Sequence, residues 1–195
     1  MFLAVDSSLG TSVAVVSSDG QILSECSSDD TRGHAENIGA LLQDALTSAG
    51  IAAADVTHVV MGVGPGPFTG LRVGMAAAEA FAHSRSLPLF PLVSHDAEAL
   101  GAGDVVIVTD ARRGEVAYSV YQGDSDFRRI LGPALARPEN LEHELGEHSS
   151  LPRIQVKTIS AGKLGQVANA YLTAGVSSES RAPRYLRAPD VTVAP

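Results

Sequence analysis

The 195-residue sequence predicts an α/β protein of two lobes, the second a shortened version of the first. Short aliphatic and β-branched runs alternate with stripes of 3.6-residue period, the signature of layered sheets and helices. The order of three strands, then helix, strand, helix, strand and helix, fills residues 1–100, and strands begin again after "GAGD". A hydrophobic content of 45% is enough to fill real cores, and a single cysteine, Cys26, excludes an internal disulfide framework.

The first lobe opens with "FLAVD", "SVAVVS" and "QILSEC", and Asp19-Gly20 marks a hairpin between the second and third runs. "HAENIGALLQDALTSAG" then places Ile38, Leu41, Leu42, Ala45, Leu46 and Ala49 on one helical stripe, with Gly50 as its stop. The strand "THVVMGV" runs into the Gly/Pro turn "GVGPGPFTGLRVG" and a second helix from about Thr69 to His83, with Thr69 expected as its N-cap. "LPLFPLV" reads as a strand and "SHDAEALGA" as a short helix capped by Ser94. In the second lobe "DVVIVTD", "EVAYSVY" and "FRRILG" read as strands, followed by "PENLEHEL", a strand in "RIQVKTI" and a helix in "GKLGQVANAYL". The Pro-rich tail "RAPRYLRAPDVTVAP" is expected to be extended, either packed on the body or free.

Two hairpins and one turn carry the chemistry that can be read here. "VDSSLGTSVAV" places Asp6, Ser7, Ser8, Gly10, Thr11 and Ser12 at a strand end, either as a phosphate-presenting hairpin or as an ordinary Asx turn. "TDARRGEVAYSVY" puts Asp110, Arg112, Arg113 and Glu115 at a turn between two strands, by itself a charged hairpin of the kind that is most often solvated. The Gly/Pro turn fits neither standard phosphate signature. Pro65 and Pro67 stiffen it, Gly64 and Gly66 permit positive φ, and it aims the helix that follows. That helix carries Gly70, Gly74, Ala76, Ala77, Ala78, Ala80 and Ala82, and the first helix adds Ala35, Gly39 and Ala40. Such small surfaces serve either close packing inside the chain or docking of another helix. No zinc or nucleophile signature is present.

The opening "MFLAVD" lacks a basic n-region and no run approaches membrane-span length, so a soluble, cytoplasmic chain without membrane contact is expected. A formal charge of -8, with Lys157 and Lys163 as the only lysines, argues against a surface that neutralises many nucleic-acid phosphates by itself.

"LAVDSS", "RGHAENIGALL", "GVGPGPFTGLRVG", "VSHDAEAL", "TDARRGEVAYSVY" and "PRYLR" together resemble the TsaB (YeaZ) family. That family is the non-catalytic partner in bacterial synthesis of threonylcarbamoyladenosine on tRNA. The resemblance implies an actin-like ATPase (ribonuclease-H-like) fold, with an N-terminal lobe over 1–100 and a shorter C-terminal lobe with its tail over 101–195. It implies a nucleotide cleft, vestigial in form, at Asp6, Ser8, Gly10, Thr11 and Asp110. It further implies pairing with a TsaD-type paralogue through the first two helices, which also form a homodimer in its absence. Arg32, His34, Leu41, Leu42, Thr69, Leu71, Arg72, Gly74, Met75 and Ala78 are the interface residues expected from it. A bulky residue at Gly74 or Ala78 is then expected to weaken pairing and leave the monomer folded. The chain would hold no cofactor of its own; ATP or ADP and a metal ion would sit on partner subunits, a TsaE-type ATPase would join the complex, and tRNA would be held mainly by the partner. The alternative is an enzyme in its own right, an actin-like phosphotransferase or a glycoprotease-like peptidase.

Overall fold

A computed structural model of the chain describes residues 1–30, 33–124 and 126–187. Strands β1 (Phe2–Asp6), β2 (Thr11–Val16), β3 (Ile22–Ser28), β4 (His58–Gly62) and β5 (Leu89–Leu92) form one sheet in the order β3-β2-β1-β4-β5. Strands β6 (Val105–Asp110), β7 (Val116–Gln122), β8 (Arg128–Ala136) and β9 (Arg153–Val156) form a second, in the order β8-β7-β6-β9. The second sheet thus repeats the first without its fifth strand. In each, the first two strands pair antiparallel and the fourth lies parallel to the first.

Strands β1 and β2 are buried along their whole length, which explains their unbroken apolar runs: a sheet covered on both faces has no polar side to alternate with. Helices α1 (His34–Ser48) and α2 (Phe68–Ser84) cover one face of the first sheet. Leu3, Val5, Val13, Val15, Val59 and Met61 meet Ala45, Leu71, Met75 and Ala78 there. The other face shares a core with the second sheet through α3 (Asp96–Ala99) and α5 (Ala161–Thr173), with Ala4, Ala14, Leu92, Ile107, Tyr121, Leu164 and Val167 all buried. Against the far side of the second sheet packs α4 (Leu141–Leu145), a one-turn helix over Val106, Val108 and Tyr118. The layers therefore run helices, sheet, helices, sheet, short helix.

Helix α5 comes from the second half of the chain yet packs on β1, β2 and β3. Gly165 admits Val16 so closely that a Cβ there would lie 2.6 Å from it. Ser160 caps α5 by accepting the Lys163 amide, and Glu98 of α3 takes both the Ser160 amide and the Lys163 ammonium.

Two expected caps are corrected. Helix α2 begins one residue before Thr69, with Pro67 at its N-cap position and no side-chain cap bond, because Pro67 already supplies the extended backbone that the entry needs. Ser94 does not cap α3; its hydroxyl turns to Asp6, and His95 takes the cap position without a side-chain bond. Among the described residues no helix is long and apolar enough to cross a membrane.

Candidate functional site

Asp6 ends β1 and is fully inside the chain. Its Oδ1 accepts the Ser8 amide at 2.8 Å, the Asx turn foreseen for this stretch, while Oδ2 accepts the hydroxyls of Ser8 and Ser94. Ser94 Oγ also accepts the Gly64 amide, at 3.1 Å, so the hairpin, the Gly/Pro turn and the loop before α3 meet at one carboxylate. Burial lifts the Asp6 carboxyl above its ordinary value, and the bonds from Ser94 and Ser8 pull it back. Gly62 is needed for this meeting, since a Cβ there would stand 1.8 Å from Asp6 Oδ2.

The hydroxyls that would cradle a phosphate are already engaged inside the chain. Ser7 Oγ donates to the Gly70 carbonyl at 2.7 Å and accepts the Gly74 amide at 3.1 Å. Thr11 Oγ1 lies 2.7 Å from His34 Nδ1. Ser7, Ser8, Thr11 and His34 are all buried, and Gly10 is buried against the Ser28 carbonyl. Gly66 does not adopt a positive φ. Its role is close approach, because a Cβ there would lie 2.8 Å from Ser8 Cα. The stiff Gly/Pro turn therefore lies directly on the first hairpin and closes it.

The second hairpin is open. Asp110 ends β6 exposed, and its Oδ1 accepts the Arg112 amide at 3.0 Å, the same local turn that Asp6 makes with Ser8. Arg112 takes φ 61° and Arg113 φ 55°, so the glycine conformation persists here with side chains attached. Between this hairpin and the Gly/Pro turn lies a cavity of about 260 Å³, lined by Pro65–Phe68, Thr109–Arg113, Ala117, Leu135 and the tail residues Tyr185–Arg187. Of the residues expected at a nucleotide cleft, Asp110 lines it; Asp6, Ser8, Gly10 and Thr11 do not. Among the described residues no group of three or more His, Cys, Asp and Glu gathers as a metal site.

Behind the cavity lies a polar network that sequence reasoning missed. Asp96 Oδ1 accepts the Tyr121 hydroxyl and Arg129 Nη1, both at 2.7 Å, and Arg129 also pairs with Glu179, which takes Arg184. Burial raises Asp96 to about 6, and the Arg129 charge opposes the rise. Next to it His95 is held between Ser119 and Thr109 at 2.9 and 3.0 Å and stays neutral, with burial pushing it down to about 3. The "VSHDAEAL" stretch by itself shows only a helix start, since the partners of His95 lie 14 and 24 residues away and those of Asp96 25 and 33.

The expected interface residues divide between the two sides of the helices. Leu71, Gly74, Met75 and Ala78 are buried against the chain's own sheet, which corrects the expectation that this face is open. A bulky side chain at Gly74 would strike Ser7, with a Cβ 2.2 Å from its Oγ, so the monomer itself would suffer. His34 is neither solvated nor outward; its ring lies against Gly70, where a Cβ would stand 2.4 Å from Nε2. Leu41 and Leu42 are half-buried on the same core. Thr69 and Arg72 are exposed. Among the described residues Arg72 pairs with neither Glu79 nor another carboxylate; it lies over the Phe68 and Tyr185 rings and donates from Nε to the Tyr185 hydroxyl at 2.5 Å. Arg32 lies outside the described residues. The small residues that the two helices leave open are Ala35, Gly39 and Ala40 on α1 and Ala76 and Ala80 on α2, beside polar exposed residues such as Glu36, Thr69, Arg72 and Glu79.

A family model described as TsaD, tRNA N6-adenosine threonylcarbamoyltransferase, matches residues 21–154. An uncharacterized protein of Mycobacterium leprae is 39% identical over 145 residues, covering 72% of this chain and 40% of that protein. The tRNA N6-adenosine threonylcarbamoyltransferase of Streptococcus mutans is 34% identical over 180 residues, 83% of this chain and 53% of its own length. The tRNA threonylcarbamoyladenosine biosynthesis protein TsaB of Escherichia coli is 35% identical over 101 residues, 49% of this chain and 44% of its own length. The chain thus spans about half the length of the curated relatives it matches. The solved structure of YeaZ from Pseudomonas aeruginosa superposes with a TM-score of 0.76 at 23% identity, covering 95% of this chain and 99% of that one, and shares its actin-like, ribonuclease-H-like fold. The chain belongs to the TsaB (YeaZ) family, within the wider group that the TsaD model describes.

Proposed function

We propose that this chain is the non-catalytic partner subunit in the synthesis of threonylcarbamoyladenosine on tRNA, pairing with a TsaD-type transferase and activating it. The observation that carries this reading is the closed first hairpin. Asp6, Ser7, Ser8 and Thr11, the groups that would meet a phosphate, are buried and bonded to the chain's own residues. An actin-like phosphotransferase needs those groups free. A peptidase needs a nucleophile activated by a base, or a metal, for which no arrangement of side chains described above speaks.

The docking surface in this reading is the outer side of α1 and α2. Ala35, Gly39, Ala40, Ala76 and Ala80 are exposed there, and small residues let a partner helix approach closely. Their shared seat on one sheet face, with α2 held by Ser7 and His34, presents a preformed surface, which lowers the ordering cost of association. The partner then works by population shift: docking favours the transferase conformation that is competent for transfer. In this scheme ATP or ADP and a metal ion reside on partner subunits, a TsaE-type ATPase joins the complex, tRNA is held mainly by the transferase, and the assembly works in the cytoplasm. The same surface supports a homodimer when the paralogue is absent.

Co-expression with the TsaD-type paralogue and affinity purification tests the pairing. Recovery of a stoichiometric heterodimer is expected. A homodimer that never exchanges with the paralogue would count against it.

A further inference from the structure

The tail does more than return to the body. The Glu179 amide donates to the Pro91 carbonyl of β5 at 3.0 Å, and the Glu179 carboxylate holds Arg129 of β8 and Arg184. The Arg184 amide donates to the Val63 carbonyl at 2.7 Å. The Tyr185 ring stacks on Phe68 with centroids 4.0 Å apart, and Arg72 lies over both. Arg187 donates to the Arg112 carbonyl at 3.1 Å and pairs with Glu115. One short stretch without helix or strand thus joins the first sheet, the start of α2 and the second hairpin.

We propose that residues 184–187 are a displaceable strap that closes the cleft between the Gly/Pro turn and the 110–116 hairpin. Tyr185, Leu186 and Arg187 form one wall of the cavity, facing Pro65–Phe68 and Thr109–Arg113. The two opposing walls continue into sheet or helix, whereas the strap has one backbone bond to the body, from the Arg184 amide to Val63, and beyond it is held by side chains: a stack, a cation over two rings and an ion pair at the rim. The Arg187–Glu115 pair is partly exposed, about 30% on each side, so salt screens it. The strap is therefore the wall that yields first. Whatever enters this cleft from that side takes the place of Tyr185 and Arg187, and lifting them also unfastens the second hairpin from the first lobe. This inference concerns the isolated chain and stands apart from the pairing proposed above.

Amide hydrogen exchange on the isolated full chain tests it. The Arg184 amide reports the strap, and the Ala111 and Glu115 amides, bonded across the hairpin, report the wall it fastens. Tyr185→Ala and Arg187→Ala are each expected to speed exchange at these positions several-fold, with α5 amides unchanged and Arg153→Ala, at a surface pair with Glu142 beside the opposite end of β6, without effect. High salt is expected to do the same in the unaltered chain, and that arm decides the matter if either variant loses α5 protection. Exchange at Arg184 and Glu115 that ignores both the substitutions and the salt would overturn the strap.

Discussion

Ser7 and Gly74, 67 residues apart in sequence, are joined at 3.1 Å: the Gly74 amide donates to Ser7 Oγ, which in turn donates to the Gly70 carbonyl. The first hairpin is thereby fastened to the first two turns of α2. The glycines of this helix are explained from inside the chain, Gly74 by Ser7 and Gly70 by His34. Its exposed alanines, Ala76 and Ala80, lie on the side where pairing is proposed.

That division separates two substitutions on one helix. Gly74→Leu drives a side chain into Ser7 and should lower the unfolding free energy by about 3 kcal/mol or more. Ala80→Arg, on the exposed side, should change it by less than about 0.5 kcal/mol while abolishing pairing. Thermal unfolding and size-exclusion chromatography of both variants check this. A Gly74→Leu chain as stable as the unaltered one, or unimpaired pairing by Ala80→Arg, contradicts the assignment of the two sides.

Acid should expose a contest between neighbours. Folded Asp96 keeps its proton up to about 6, against an ordinary value of 3.8, so the folded state binds more protons in that interval and Asp96 removes stability as pH rises through it. His95 is held neutral down to about 3, against 6.5 when unfolded, so the unfolded state binds more protons and stability rises with pH over that wider range. The slopes oppose each other. Asp96→Asn removes the first and should lose up to about 3 kcal/mol more than the unaltered chain when the pH drops from about 6 to about 4. His95→Asn should show the reverse tilt. Urea unfolding across this range checks both, and parallel profiles for all three proteins contradict the coupling.

Ser8 tests the closed hairpin. Its hydroxyl bonds to Asp6 and Ser94 in the interior, so Ser8→Ala should cost about 1–2 kcal/mol of stability. Calorimetric titration with ATP should give the same result for the variant and the unaltered chain, because that hydroxyl is buried and bonded to Asp6 and Ser94. A stable Ser8→Ala that has lost nucleotide binding would reopen the phosphate reading.

Much of the fold was legible because it rests on local pattern. The strand runs, the α1 stripe from Ile38 to Ala49 and the Asp6 and Asp110 turns are all written within a few residues. The side of α2 that stays open was not legible. Glycine and alanine look alike from sequence, and only the positions of Ser7 and His34 show that Gly70 and Gly74 face inward. Thr69 looked like a cap because the type is right, but Pro67 already sets the helix entry. The Asp96 network joins residues from α3, β7, β8 and the tail, and no spacing rule links partners so far apart.

The most direct measurement of the central claim is mass spectrometry of tRNA nucleosides from cells depleted of this protein. Threonylcarbamoyladenosine should fall, return with the unaltered chain and stay low with Ala80→Arg. An unchanged level of the modified nucleoside after depletion, or full rescue by a variant that cannot pair, would contradict the partner-subunit role.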